Sequence, residues 1–165
     1  MKNAKEILTN VNECITELES VTSWTQLKDH NGRILEKGYS GKNFVFSIGK
    51  VCDELSIFDW WNETLSKSQL KQMKKFLETA ISLGFTGYVC FKVGASGCSH
   101  GMWAHKKEST DGYAPFGDVL FHSFRSGDNY YDMELNGEWL HEKYATEEDV
   151  APHFTLKDIK RELTL

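Results

Sequence analysis

The hydrophobic period of the chain changes at Gly84, and that change limits what it can fold into. Before it, Leu70, Met73, Phe76, Leu77, Ala80, Ile81 and Leu83 recur at spacings of three and four. That spacing predicts one buried stripe on a helix over 66–83. Lys67, Lys71, Lys74 and Lys75 line its outer face, Ser66 with Gln69 matches a capping box, and Gly84 ends it. After Gly84 the period is two, in TGYVCFKV (86–93), SHGMWAHK (99–106), DVLFHSFR (118–125) and NYYDMEL (129–135). Four such segments joined by short connections leave no room for crossover helices, so an antiparallel meander is predicted. Ser126-Gly127-Asp128 closes the last hairpin. Alternation sends Phe121 and Ser123 to one face and Leu120, His122 and Phe124 to the other. Apolar residues on both faces imply that both are at least partly covered.

The rest of the chain supplies helices and a second hairpin. Ile7, Leu8, Val11, Cys14, Ile15 and Leu18 make an amphipathic helix over 3–19. Asn31-Gly32 is a turn signal, and strands near 33–37 and at 43–48 are expected to pair across GYSGK. VCDELSIFDWWNETL is apolar but aperiodic, and reads as a short helix or connector with Ile57, Phe58, Trp60 and Trp61 as core anchors. Thr146 opens a short turn, and Thr155 with Asp158 caps a terminal helix running through Leu163. With no repeat or linker in sight, the expectation is one α+β domain over 1–165, mainly antiparallel sheet packed against amphipathic helices.

Charge and cysteine usage narrow the functional classes. The formal net charge is −5, against a duplex nucleic-acid binder, which needs a basic patch for the phosphates. An acidic chain suits a basic protein partner. Cys14, Cys52, Cys90 and Cys98 are scattered, with no C-x-x-C, and MKNAKEILTNVNE carries no apolar signal core. No apolar run approaches the roughly 18 residues of a spanning helix. A cytoplasmic chain with reduced thiols, away from membranes, is expected.

GASGCSHGMWAH (94–105) is the densest stretch of possible chemistry. Its G-x-S-x-G, centred on Ser99, is the string of a nucleophile elbow, with Asp118 or Asp132 and His141 or His153 downstream as nominal triad partners, but the elbow needs a following helix and MWAHKKESTDG does not supply one. Cys98, His100 and His105 offer zinc ligands, with Cys90 or His122 as a fourth. On a regular strand His105 faces away from Cys98 and His100, so this site needs a bulge. Gly94, Gly97 and Gly101 offer backbone N–H groups to a phosphate but lack the spacing of a nucleotide loop. The simpler reading is a glycine-rich bend that lets the chain pack closely beneath Trp103.

A second cluster is acidic and aromatic. Tyr130, Asp132 and Glu134 share one face of the last strand, with Asp128 at its start, Arg125 across the hairpin and Trp139 just beyond. These six are the candidate binding residues: rings anchor protein interfaces and carboxylates steer a basic partner. Acids that merely solvate an exposed face are the alternative.

Over residues 94–139 the wording GASGCSHGMWAHK…DGYAPFGDVLFHSFRSGDNYYDMELNGEW resembles small uncharacterised proteins of bacterial mobile elements or phages. The resemblance implies a setting in which small acidic proteins bind and block other macromolecules, and carries no residue role. The expected function is a non-enzymatic protein-binding module, such as an inhibitor or an immunity or anti-defence protein. The alternative is a metal- or nucleotide-dependent enzyme centred on Gly94–His105.

Overall fold

The computed structural model of the chain describes residues 2–20, 45–47, 51–52, 64–92, 101–111, 113–125, 128–148 and 153–165. The elements are α1 (Ala4–Ser20), β1 (Val45–Ser47), β2 (Thr64–Ser66), α2 (Lys67–Ser82), β3 (Val89–Lys92), β4 (Gly101–His105), β5 (Val119–Arg125), β6 (Asp128–Leu135), β7 (Glu138–Trp139), α3 (Leu140–Lys143) and α4 (Leu156–Leu163). β3 to β7 form one antiparallel sheet in sequence order, the meander that the period-two segments predict, and β1 pairs with β2 in a separate two-stranded sheet. The architecture is α+β.

The helices end where their sequences say. Asn3 and Glu6 form a reciprocal capping box at the start of α1, each backbone N–H 3.1 Å from the other's side chain. α2 ends with Gly84 at φ +90°, its N–H donating to Ile81 O and the Phe85 N–H to Ala80 O. That is a Schellman stop, which glycine adopts without Cβ strain. Thr155 and Asp158 close the capping box of α4.

Leu70, Met73, Phe76, Leu77 and Ala80 of α2 are buried, as their spacing predicts. They join Ile7, Val11 and Leu18 of α1, together with Phe85, Leu140 and Ile159, in one apolar cluster. The strands contribute Val89, Phe91, Met102, Ala104, Leu120, Tyr131 and Met133. By register these all lie on a single face, since Phe91 pairs Met102, Met102 pairs His122, His122 pairs Tyr131 and Leu120 pairs Met133. Burying an aliphatic or aromatic side chain there is worth about 1.5–3 kcal/mol. One face of the sheet therefore carries this apolar cluster, while on the other Cys90, Val119, Ser123 and Asp132 are also buried, so both faces are at least partly covered, as expected.

Some expectations are refined. β1 pairs with Thr64–Ser66, and the strand expected near 33–37 lies outside the described residues. Ser66 ends β2 and immediately precedes α2, which fits the extended backbone of a residue before a helix. Ile57, Phe58, Trp60 and Trp61 also lie outside the described residues, while Val51 and Cys52 just before them are fully buried. β7 was not expected: Asn136 (φ +53°) and Gly137 (φ +84°) make a two-residue turn that returns the chain antiparallel to β6. No helix among the described residues is long and apolar enough to cross a membrane.

Candidate functional site

The face of the sheet turned away from the core carries Cys90, Trp103, Phe121 and Asp132 in one row across four strands, by the pairings Cys90–Trp103, Trp103–Phe121 and Phe121–Asp132. The neighbouring row holds Gly101, Ser123 and Tyr130, and the next holds His105, Val119, Glu134 and Trp139. Tyr130, Asp132, Glu134 and Trp139 thus share this face, and the register puts the other two sequence-predicted binding residues, Arg125 and Asp128, at positions of the same face. Arg125 and Asp128 pair with each other at the far end of the β5–β6 hairpin.

Aromatic rings run along the face. Trp103 lies 4.9 Å from Phe121 centroid to centroid, Phe121 6.0 Å from Tyr130, and Tyr130 stacks on His153 at 4.2 Å. A glycine makes the first contact possible: a Cβ on Gly101 would fall 2.9 Å from both the Trp103 and Phe121 rings. The close packing expected beneath Trp103 is therefore realised at Gly101, which leads directly into that strand.

Asp132 behaves differently from its acidic neighbours. It is buried, with Oδ1 accepting the Met133 N–H at 2.8 Å and Oδ2 lying 2.5 Å from Nδ1 of His141. The carboxylate accepts from Nδ1–H and fixes the orientation of the ring. The His141 side chain is 41% exposed, its Nε2 is 3.9 Å from Glu142 Oε1, and its ring sits 5.9 Å from that of Trp139. Glu134 and Trp139 are half-buried. Asp132 orients His141, and Glu134 and Glu142 present carboxylate acceptors beside it.

His141 and His153 belong to this site, and the sequence offers them only as nominal triad histidines downstream of Ser99, with Asp118 or Asp132 as the acid; of those pairs the structure brings Asp132 and His141 together. The missed signal for His141 is Asn136-Gly137, a hairpin turn whose register pairs Glu134 with Trp139 and so sets residue 141 across from Asp132. His153 arrives because Phe154 bridges Tyr131 at the free edge of β6.

Of the proposed metal ligands, Cys98 and His100 lie outside the described residues, as do Gly94, Gly97 and Ser99. β4 pairs with β5 in unbroken register from Gly101 to His105, so no bulge turns His105 within the described strand. His105 lies on the outer face with Cys90 and packs against Tyr88 at 5.7 Å, whereas His122 lies on the core face. His122 is thereby removed as a fourth ligand beside His105, because the sheet separates them. Burial pushes the Cys90 thiol up to about 12, so it is protonated at neutral pH and a poor nucleophile. Among the described residues, no three His, Cys, Asp or Glu side chains gather as a metal site.

No protein-family model, curated protein or solved structure matches the chain.

Proposed function

We propose that the chain is a non-enzymatic protein-binding module whose docking surface is the outer face of the five-stranded sheet, and that its partner presents a lysine- and arginine-rich surface. The observation that carries this reading is the arrangement on that face. A row of packed rings lies beside an edge where the carboxylates of Glu134 and Glu142, both hydrogen-bond acceptors, flank the ring of His141 held by Asp132. A surface of acceptors is matched by one of donors, and ammonium and guanidinium groups are also attracted to ring faces. The net charge of −5 adds attraction at long range. Rigid rings supply contact area at low entropic cost, as interface anchors do. The most concrete form of this role is an acidic inhibitor, or an immunity or anti-defence protein, that covers a basic working surface of another macromolecule.

The test is affinity capture with the wild-type chain and with a Glu134→Lys, Trp139→Ala variant, both confirmed as folded by thermal melting. Proteins retained by the wild type and lost by the variant are expected to be basic. Identical sets from both would reject this face. The zinc alternative at Cys98, His100 and His105 draws support from Nδ1 of His105, which is buried and has no hydrogen-bond partner among the described residues. The metal content of protein purified without a histidine tag decides that alternative.

A further inference from the structure

Helices α1 and α2 carry inverse charges. α1 holds four glutamates, Glu6, Glu13, Glu17 and Glu19, and one lysine, Lys5. α2 holds four lysines, Lys67, Lys71, Lys74 and Lys75, and one glutamate, Glu78. The two helices pack along each other and bury their apolar stripes in the same core cluster. Their outward sides therefore make one layer that faces away from the sheet.

Within that layer the charges are sorted into rows. Lys67, Lys71, Lys74 and Lys75 lie three or four residues apart on one stripe of α2, with Lys71 and Lys75 exposed. Glu6, Glu13 and Glu17, spaced by seven and four, make the corresponding stripe of α1, with Glu6 and Glu13 exposed. At 1.5 Å per residue the rows are about 12 and about 16 Å long. Among the described residues, none of the four lysines forms an ion pair, and neither does Glu13. Like charges four residues apart, as in Lys67–Lys71, Lys71–Lys75 and Glu13–Glu17, weaken their own helix, so neither row serves the fold of a single copy. An opposite row laid across each one relieves that repulsion.

Charge and shape select the occupant. Thr9, Asn12, Glu13, Thr16 and Glu17 line a shallow hollow of about 490 Å³ along α1. Each of these side chains offers an oxygen to a donor, so the hollow suits projecting lysine ammonium groups. The chain itself supplies such a row on α2. A bilayer fits less well: the apolar stripe of α2 is committed to the core and has nothing to insert, and the net charge of −5 repels anionic lipid. A nucleic acid strand fits less well too, because α2 carries no arginine and its one ring, Phe76, is buried.

We infer that this helical layer is an interface between two copies of the chain, with the lysine row of α2 in each copy laid against the glutamate row of α1 in the other. Two inverse rows on one surface are self-complementary, which is what a two-fold interface requires. The dimer leaves both outer sheet faces pointing away, so one particle presents two docking surfaces. The association uses no residue of the proposed docking face, and each stands or falls alone. Its test is sedimentation velocity of the full chain up to about 1 mM, at about 0.1 M and about 1 M salt, where the Debye length is about 10 Å and about 3 Å. The expected result is a reversible dimer whose dissociation constant rises about 10-fold or more at the higher salt. Lys71→Glu with Lys75→Glu, and separately Glu13→Lys with Glu17→Lys, are each expected to sediment as monomers, with folding confirmed by thermal melting. An equal mixture of these two variants is expected to dimerise again, because both contacts then join opposite charges. A wild-type chain that stays monomeric, a dimer indifferent to salt and to both reversals, or a mixture that stays monomeric would overturn the interface. Sedimentation of the wild type with phosphatidylcholine–phosphatidylglycerol vesicles, abolished by Lys71→Glu with Lys75→Glu, would give the lysine row to a bilayer and overturn it as well.

Discussion

The two faces of the five-stranded sheet are built from alternate residues of the same strands, yet they are different surfaces. Toward the helices stand Phe91, Met102, Ala104, Leu120 and Met133, all without exposed area. On the other side stand Trp103, Phe121, Tyr130 and Glu134, all partly exposed, with Cys90, Val119, Ser123 and Asp132 buried among them. The core face is selected for filling volume, where any polar group costs free energy. The outer face mixes rings with carboxylates and histidines, a composition that core packing does not require and that binding uses.

Neighbouring residues measure the contrast most directly. Leu120 is fully buried against the helices, and Phe121, the next residue, lies on the outer face between Trp103 and Tyr130. Leu120→Ala is expected to cost about 2–5 kcal/mol in urea unfolding, by lost transfer energy and the cavity left behind. Phe121→Ala removes more atoms but from a half-wet site, and about 1–2 kcal/mol is expected, including the ring contacts. A larger loss for Phe121→Ala would mean that the outer face is a second core and not a surface for binding.

A smaller effect separates the acids of the outer face. Asp132 is buried and accepts from both the Met133 N–H and His141, so Asp132→Ala is expected to cost about 1–3 kcal/mol by leaving those donors unmatched. Glu134 reaches solvent two residues along the same face, and Glu134→Ala is expected to stay within about 0.5 kcal/mol of wild type. Equal losses would place Glu134 in a structural network and withdraw it from docking.

Much of this was legible in the sequence because it depends on local periodicity. The 3.6-residue stripes of α1 and α2, the period-two meander, Gly84 as a stop and the Thr155–Asp158 cap all follow from spacing alone. So does the common face of Tyr130, Asp132 and Glu134. What spacing does not encode is which face of a sheet the helices choose: Leu120 and Phe121 are both apolar, and only the tertiary arrangement distinguishes them. The partnership of Asp132 with His141 depends on a two-residue turn and a strand of two residues, too short for any period to register. The strand Thr64–Ser66 was hidden by the capping signal of the helix that follows it. The exposure of Tyr113 and Phe116 is not legible either: their rings belong to no period, and only the tertiary arrangement leaves them in solvent.

The smallest expected effect concerns histidines placed on opposite faces. Burial lowers the affinity of His122 for a proton, more than its hydrogen bond with Asn129 raises it, and Lys75 lowers it further. His122 packs face to face with Tyr131 at 4.1 Å and near Phe76 at 6.3 Å, while Nε2 lies 2.7 Å from Asn129 Oδ1. His105, on the outer face, is also lowered by burial. In the unfolded chain both rings titrate near pH 6.5, at about the ordinary value. Above that pH both states are neutral and the two histidines make stability independent of pH. Below it the unfolded chain takes up protons that the folded chain refuses, so stability falls as pH drops, by no more than about 1.4 kcal/mol per pH unit for each ring, and levels off only below the folded-state values. Urea midpoints between pH 7 and 5 are expected to show this slope. His122→Gln, which keeps a group for Asn129 but cannot take up a proton, is expected to flatten it, and His105→Gln should do the same independently because the sheet lies between the two rings. If only the His122 substitution flattens the slope, the outer face is wet enough at His105 to let it titrate freely, and the contrast between the two faces is sharper than burial alone indicates.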